Sequence, residues 1–406
     1  MTVLRVFLPF ALGYFLSYLL RVVNAVIAPD LIRDIGLDAS DLGLMTSVAF
    51  LAFGAFQLPL GILLDRFGPR RTEAVLLVVA AGGTFVFASA QGLAGLVAGR
   101  ALIGLGTSAC LMAAFKAYVL WFPRERLPLV NGFQMAAGGL GALAGTAPVE
   151  LALGLTDWRG LFGVLGVLAL AIAGGLFLAV PERREQAARS GLRQQVRGVR
   201  EVLTSRLFWG VAPATLASQG TFLAIQSLWI GPWLADVAGL DREVLANHLL
   251  GVAAAMVAGY ILLGGAAERL GRAGIEPMIV AGTGMTLFAL TQLAMLLSGP
   301  GVALWTWPLF GFFGTAGIVS YAALSQRFPP ELAGRVVTGL NVLTFSAAFA
   351  AQWGIGAVIN LWPAAPGGGY APDGYRAAFA ILLGLQAAAL IWFWVHRRRG
   401  NGAPQT

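Results

Sequence analysis

One arginine lies inside the first long apolar run of the chain, in the stretch YFLSYLLRVVNAVIAP. Because side chains three, four or seven residues apart share one face of a helix, Arg21 shares a face with four other polar residues: Tyr14, Ser17, Tyr18 and Asn24. If this run crosses a membrane, a cation within it is costly unless it faces a wet cavity or a partner. We therefore predict that Arg21 binds an anion from a polar cavity wall. The alternative is a side chain that extends to the lipid head groups.

Two more cations fall within apolar runs. Lys116 lies five residues before Trp121, near the end of its run. For Lys116, anion binding and extension to the head groups are both open. Arg100 precedes Gly104 and Gly106, and small residues of this kind permit close helix packing in lipid.

Other groups that could do chemistry are sparse. The sequence has no metal-ligand spacing, no nucleophile elbow and no P-loop, so we predict no enzyme activity, no metal and no cofactor. The single cysteine, Cys110, excludes a disulfide framework. Among the acids we find only Glu150 well within an apolar run, and proton coupling through a buried acid therefore has little support. The residues that remain for proton coupling are Glu150 and His248.

The elements that must position these side chains are membrane helices. Of the 406 residues, 58% are hydrophobic and 11% are charged, against about 25% charged in soluble domains. A window of about 20 residues gives twelve predicted spans: 6–28, 41–63, 73–90, 92–121, 128–153, 159–180, 207–234, 244–266, 276–297, 302–325, 334–361 and 375–395.

The positive charges predict the orientation of these spans. With both termini in the cytoplasm, most of the 27 Lys and Arg residues fall in cytoplasmic segments, as the positive-inside rule requires. The opposite side carries only Arg33, Arg159, Arg242 and Arg376. Topology and anionic lipids account for the net charge of +8, and we expect no nucleic-acid partner.

One long polar stretch divides the twelve spans equally. We predict an N-terminal six-helix bundle (1–180), a cytoplasmic basic linker (181–206) and a C-terminal six-helix bundle (207–406). Apolar residues recur in the linker at helical spacing, at Leu192, Val196, Val199 and Val202. This pattern predicts a basic helix along the membrane surface; a solvated linker is the alternative.

Two short signatures recur between the halves, and internal repeats of this kind are typical of secondary transporters. In the first pair, Asp65-Arg66 aligns with Glu268-Arg269 at an offset of 203 residues, and in the second Gln134 aligns with Asn341. The paired segments are 61–71 with 264–272, and 122–134 with 328–341.

The stretch GILLDRFGPRR (61–71) resembles the signature of the major facilitator superfamily between helices two and three, and RALIGLG resembles its fourth-helix motif. The resemblance covers the whole chain and implies an all-α membrane protein of twelve transmembrane helices, in two bundles related by pseudo-two-fold symmetry. It implies a cytoplasmic latch that holds the halves together when the carrier faces outward, and for Arg100 a role in helix packing or proton movement. We assign to the latch Gly61, Asp65, Arg66, Gly68, Arg70, Arg71, Arg100, Glu268 and Arg269.

Within the superfamily, YLLRVVNAVIAPDL resembles the first helix of the organophosphate and organic-anion carriers. The resemblance implies that Arg21 faces the substrate, and that Lys116 stands where those carriers can place a second cation. Phosphate carriers have a further arginine on helix seven, which this sequence lacks. The resemblance therefore favours a monoanion over a doubly charged phosphate ester.

These patterns predict a secondary active transporter that moves a small, carboxylate-type organic anion by alternating access. A proton-coupled drug or metabolite exporter and a transporter-like anion sensor are the alternatives. We expect a monomer in the inner membrane, with the lipid bilayer and a small anion as its partners. Polarity at mid-span and symmetry between the halves select the substrate-binding residues: Arg21, Tyr14, Tyr18, Asn24, Lys116, Gln134, Gln226, Trp229, Asn341 and Gln352.

Overall fold

The computed structural model describes residues 3–123, 126–181, 192–365 and 369–400, and every regular element in these ranges is helical. The chain forms two compact units, Met1–Gln194 and Gln195–Thr406. Most of the first half of the predicted linker, 182–191, lies outside the described residues. The division into two bundles and a separate linker stays a prediction.

The N-terminal unit begins with a π-helical turn at Val3–Phe7. Its α-helices are α1 (Leu8–Val22), α2 (Asn24–Ile35), α3 (Ala39–Ala88), α4 (Leu93–Thr107), α5 (Met112–Trp121), α6 (Leu127–Ala144), α7 (Ala147–Leu153) and α8 (Trp158–Ala179).

Local backbone chemistry explains where these helices begin and break. Asp38 caps α3, since its side chain accepts a hydrogen bond from the Asp41 N–H at 2.8 Å. Helix α3 runs for 50 residues but is interrupted at Gly68, whose φ of 78° is a left-handed conformation that favours glycine. Gly68 therefore separates the second predicted span from the third.

Small residues bring α3 and α4 into close contact. A Cβ atom at Gly104 would overlap the backbone of Ala49, and one at Gly106 would overlap Ala80. Helix α3 also packs against α8, and α1 packs against α6. Close approach through glycine is a usual way for membrane helices to gain packing energy, and it brings α4 against the side of the bundle that carries Arg21.

The C-terminal unit contains the remaining helices, with a second π-helical turn at Ile225–Trp229. They are α9 (Leu192–Leu203), α10 (Arg206–Ala224), α11 (Ile230–Asp236), α12 (Arg242–Arg272), α13 (Pro277–Leu297), α14 (Pro300–Gly314), α15 (Gly317–Ser325), α16 (Pro330–Ile359) and α17 (Pro372–Gly400). Helix α10 packs against α16 and α17, and α12 packs against α14.

The described part of the linker is helical, as the spacing predicts. Val199 and Val202 of α9 are buried, whereas Val196 is exposed. Val202 joins the apolar core of the C-terminal unit. The second half of the linker is thus a packed helix of that unit, which excludes the fully solvated alternative for these residues.

Every predicted span falls on helical segments. Among the described residues, nine helices are long and apolar enough to cross a membrane, or ten when the bent pair in 129–153 is counted as one span. Helix α3 alone covers two of the predicted spans. The all-helical membrane architecture is confirmed, and the count of twelve stays a prediction.

Candidate functional site: a guanidinium-lined cavity

Arg21 lies on α1, two residues before the interruption at Val23. Its guanidinium carbon lies 4.7 Å from the ring centroid of Tyr18 and 5.4 Å from that of Phe53. The side chain is half-buried. Aromatic faces attract cations through the ring quadrupole, so these two rings hold the guanidinium inside the N-terminal unit.

Arg100 of α4 is more deeply buried, at 1% exposure. One terminal nitrogen donates to the Leu20 carbonyl oxygen at 2.7 Å. The guanidinium carbon lies 4.8 Å from the Phe87 ring and 5.2 Å from the Phe162 ring. The other two nitrogens, Nε and Nη2, have no hydrogen-bond partner. Arg100 thus contacts Leu20, Phe87 and Phe162, and its assignment to the latch stays a prediction.

Arg21 and Arg100 line the same cavity, which sequence reasoning did not foresee. The space open to the centre of a water-sized sphere is about 20 Å³, which is room for about one water molecule. Its lining includes two guanidinium groups, three hydroxyls and a phenyl ring. These groups belong to Ser17, Arg21, Thr46, Phe53, Arg100 and Thr107. No acidic side chain lines it, so its charge and donors suit the acid group of an anion, while its volume in this conformation is too small for a whole organic acid.

Asn24, predicted to share the polar stripe of Arg21, is fully buried instead. The helix is interrupted at Val23, and the Asn24 amide nitrogen donates to the Thr46 hydroxyl at 2.9 Å. Asn24 is absent from the cavity lining but bonds Thr46, which belongs to it, and its assignment as a wall residue stays a prediction. Tyr14 and Tyr18 are also buried and meet edge to face, with ring centroids 5.2 Å apart.

Gln134 belongs to a buried network and not to the cavity. Its side-chain oxygen accepts a hydrogen bond from the Tyr118 hydroxyl at 2.7 Å. Its nitrogen donates to the Phe10 carbonyl at 3.2 Å and to the Cys110 carbonyl at 3.4 Å. These bonds use both ends of a fully buried amide, and a role of Gln134 in substrate binding stays a prediction.

Lys116 pairs with Asp65, with 2.5 Å between Nζ and Oδ1. The two side chains are 21% and 31% exposed. This ion pair lies within the N-terminal unit and joins α5 to the latch segment of α3. The charge of Lys116 is thus matched by a carboxylate of its own unit, and its role in substrate binding stays a prediction.

The other latch residues also make contacts inside their own units. Arg70 donates to the Phe177 carbonyl at 2.5 Å, and the Arg66 guanidinium lies 5.3 Å from the Phe67 ring. In the C-terminal unit, Glu268 pairs with Arg272 one turn further on, at 2.6 Å. Gly61, Arg71 and Arg269 complete the predicted set, and its action between the two halves stays a prediction.

Three of the predicted wall residues lie in the C-terminal unit around its π-helical turn. The Trp229 indole N–H donates to the Gln352 carbonyl at 2.9 Å, and the Gln352 side chain donates to the Ser227 hydroxyl at 3.1 Å. Gln226 is buried beside them on the same turn, and Asn341 is half-buried on α16. The structure thus brings Trp229 and Gln352 together in an uncharged cluster.

Asp34 lies on α2, outside the predicted membrane spans, and accepts a hydrogen bond from α8, the last helix of the N-terminal unit. The Trp158 indole N–H donates to Asp34 Oδ2 at 2.9 Å, and Arg33 lies 3.1 Å from the other carboxylate oxygen. The indole hydrogen bond, and secondarily Arg33, lower the pKa of Asp34 below its ordinary value. Asp34 is therefore held in its charged form.

Comparison with known proteins decides the family. The model of the Major Facilitator Superfamily matches residues 10–352. The chain belongs to the major facilitator superfamily. Its described helices include several that are long and apolar enough to cross a membrane, as expected of a multi-pass membrane protein of this family.

Several curated relatives within the superfamily carry organic acids in their names. The hexuronate transporter of Escherichia coli (strain K12) is 27% identical over 258 residues, and a probable sulfoacetate transporter of Cupriavidus necator is 27% identical over 249. A probable L-galactonate transporter of Escherichia coli (strain K12) is 27% identical over 277 residues. These matches cover 58%, 58% and 61% of the chain, which spans 58% of the length of each relative.

Solved structures of the superfamily share the fold over nearly the whole chain. A bacterial homologue of the human lysosomal transporter Spinster matches with a TM-score of 0.75 at 17% identity, over 97% of this chain and 96% of that one. A D-xylose–proton symporter matches with a TM-score of 0.75 at 18% identity, over 97% and 98%. At these identities the likeness concerns the fold alone.

One buried acid, Glu73, was not identified from the sequence. Glu73 of α3 is fully buried, and neither of its carboxylate oxygens has a hydrogen-bond partner. Glu73 is thus a second candidate for a buried acid, at the start of its predicted span. Glu73 was overlooked because it is the first residue of its apolar run. Glu150 and His248 are both half-buried, and His248 bonds only its own helix, with Nδ1 2.9 Å from the Val244 oxygen.

Proposed function

We propose that this protein is a secondary active transporter that moves a small organic anion across the bacterial inner membrane by alternating access. The observation that carries the proposal is the cavity shared by Arg21 and Arg100. A buried guanidinium with two unpartnered nitrogens is costly in an apolar medium. A bound anion removes this cost, because it supplies both the charge and the hydrogen-bond acceptors.

The geometry of guanidinium groups favours a carboxylate or sulfonate. A planar fork of N–H donors matches two oxygens of one acid group, which a lysine ammonium cannot do. Arg100 presents Nε and Nη2, a pair that points in one direction, as the donors still to be satisfied. The names of the relatives, hexuronate, galactonate and sulfoacetate, are those of acids that carry such groups.

The remaining parts of the proposal concern topology and assembly. We place both termini in the cytoplasm, on the strength of the Lys and Arg distribution, and we propose a monomer. Gln226, Trp229, Asn341 and Gln352 stay proposed contacts of the substrate, because their groups are uncharged and suit hydroxyls. We also propose that the latch at Asp65 slows the exchange between conformations.

Transport by purified protein in liposomes tests this function. Labelled D-glucuronate, galactonate and sulfoacetate serve as probes in counterflow, and binding is measured on the same protein in detergent. We expect at least one of them to exchange. Arg21→Ala is expected to weaken its binding by about 2–5 kcal/mol, because a dehydrated charge pair is lost. Arg21→Lys is expected to restore affinity only in part, since the planar fork is missing.

The control is Arg33→Ala, which removes an exposed cation of the same unit and is expected to leave binding unchanged. Intact affinity in Arg21→Ala would sink the anion site and support a side chain that only extends to the head groups. Binding without counterflow would identify a sensor. Exchange of cationic or neutral drugs, with no response to the acids, would identify an exporter.

A further inference from the structure

Glu73 is a buried acid to which the proposed anion site assigns no role. It lies on α3, five residues after the break at Gly68, with a side chain that is fully inaccessible to solvent. Helix α1 leaves space for it at Gly13, where a Cβ atom would overlap Oε1 of Glu73. Leu77 closes the same space from the next turn of α3. The packing of α1 on α3 therefore encloses the carboxyl group completely.

No described cation pairs with this carboxyl group. On the segment between α4 and α5, the Cys110 thiol lies beside it. On α5, Tyr118 is close enough to feel its charge, but the hydroxyl donates to Gln134. On α1, the titratable groups facing this region are Tyr14 and Arg21, and the charge of Arg21 acts on Cys110.

The two helices that pack most extensively against α3, α4 and α8, contribute no partner either. On α4, Arg100 bonds the Leu20 carbonyl and stacks on Phe87 and Phe162. Helix α8 carries only Arg159, at its first turn, where it bonds the carbonyls of Ala88 and Ala90 at the far end of α3. An ionised carboxylate enclosed in this way has no counter-ion and only the weak thiol donor of Cys110 beside it, whereas a protonated carboxyl is uncharged and fits the apolar enclosure. In this packing Glu73 therefore holds a proton.

We propose that Glu73 is the proton-binding site of the carrier, and that it takes up and releases one proton in each transport cycle. The proton adds to a carboxylate oxygen to form one O–H bond when the helices close around it, and it leaves to water when they separate. No oxidant or reductant is needed. The coupling to substrate rests on the proposed function: one proton that moves with a monoanion makes the cycle electroneutral.

Glu73→Gln is the decisive variant, because the amide imitates the protonated carboxyl in shape and cannot release a proton. Glu201→Gln, an exposed residue of α9, is the matched control. The first measurement needs no substrate. Infrared spectra of the purified proteins across neutral pH are expected to show the carbonyl stretch of a protonated carboxyl in wild type and in the control. This band is expected to be missing in Glu73→Gln, and its presence there would overturn the assignment.

The second measurement tests the coupling in liposomes that contain a pH-sensitive dye, with D-glucuronate, galactonate and sulfoacetate as probes. In Glu73→Gln, we expect accumulation driven by a pH gradient to fall at least tenfold and the substrate-induced proton signal to vanish. Counterflow and the melting temperature are expected to stay close to wild type. Gradient-driven accumulation at the wild-type level would refute the coupling. If wild type moves none of the probes, the proposed function fails, while the infrared result still decides the proton site.

Discussion

Replacing Arg100 by methionine is expected to separate stability from anion binding. Methionine keeps a long side chain of similar shape but removes the charge and all the donors. The variant loses the bond to the Leu20 carbonyl at 2.7 Å, worth about 1.5–3 kcal/mol for a charged donor. It also loses the contacts with Phe87 and Phe162, at about 0.5–2 kcal/mol each.

Arg100→Met also removes an unfavourable contribution of similar size to the free energy of unfolding. A guanidinium buried at 1% exposure with two unpartnered nitrogens is penalised by several kcal/mol even after relaxation. The two contributions oppose each other, so we expect the free energy of unfolding to change by no more than about 2 kcal/mol. Anion binding has no such compensation and is expected to weaken by about 2–5 kcal/mol, which is about 30-fold to several-thousand-fold.

The assay measures melting temperature and probe affinity on the same preparation of Arg100→Met. The matched control is Arg159→Met, which removes an arginine that also stacks on an aromatic ring and bonds backbone carbonyls but lies outside the cavity lining. It is expected to lose stability and to keep its affinity. The reasoning is refuted if Arg100→Met loses stability as the control does and binds the anion as wild type does, because Arg100 would then be a packing residue.

Three further outcomes are expected. The Asp65–Lys116 ion pair is partly buried, so Asp65→Asn and Lys116→Met are each expected to lower the free energy of unfolding by about 1–2 kcal/mol. In a double-mutant cycle measured by thermal unfolding, the double variant should lose less than the sum of the two, and additive losses would show that the pair is not coupled. The hydrogen bond from Trp158 lowers the pKa of Asp34. The contribution of Asp34 to the free energy of unfolding is therefore complete above the ordinary aspartate pKa of about 4 and is lost as pH falls through the lowered value. Asp34→Asn should flatten the acid side of a plot of melting temperature against pH, and an unchanged plot would contradict this. A cysteine introduced as Val196→Cys, exposed on α9, should react with impermeant reagents from the cytoplasmic side alone, and labelling from the periplasm would overturn the topology.

The fold was largely predictable, because apolar runs and repeated loop signatures are local features of the sequence. The site was predictable in part. Arg21 could be identified because a cation in an apolar run has few uses. Its meeting with Arg100 could not, because the close approach of α3 and α4 through Gly104 is a property of three-dimensional packing. Hydropathy alone did not decide between helix packing and proton movement as the role of Arg100.

Polarity was a weaker guide than charge. Gln134 and Asn24 were predicted as wall residues, yet Gln134 bonds through both ends of its amide and the Asn24 amide nitrogen donates to Thr46 inside the bundle. An uncharged amide can be buried at little cost when a partner is near, so a polar residue at mid-span does not by itself indicate a cavity. Glu73 was missed for the opposite reason. Its position at the start of an apolar run looked like a helix end, and only the packing of α1 shows that it is enclosed.

The π-helical turn at Ile225–Trp229 gives the C-terminal unit a means of rotating side chains without breaking a helix. A π turn contains one residue more than an α turn. If that surplus residue moves along the helix by one position, the side chains it passes rotate by about 100° around the axis, since successive α-helical residues are about that far apart. Gln226 and Trp229 lie on this turn. A shift of the turn would therefore re-aim both side chains while α10 and α11 keep their axis, length and backbone hydrogen bonding.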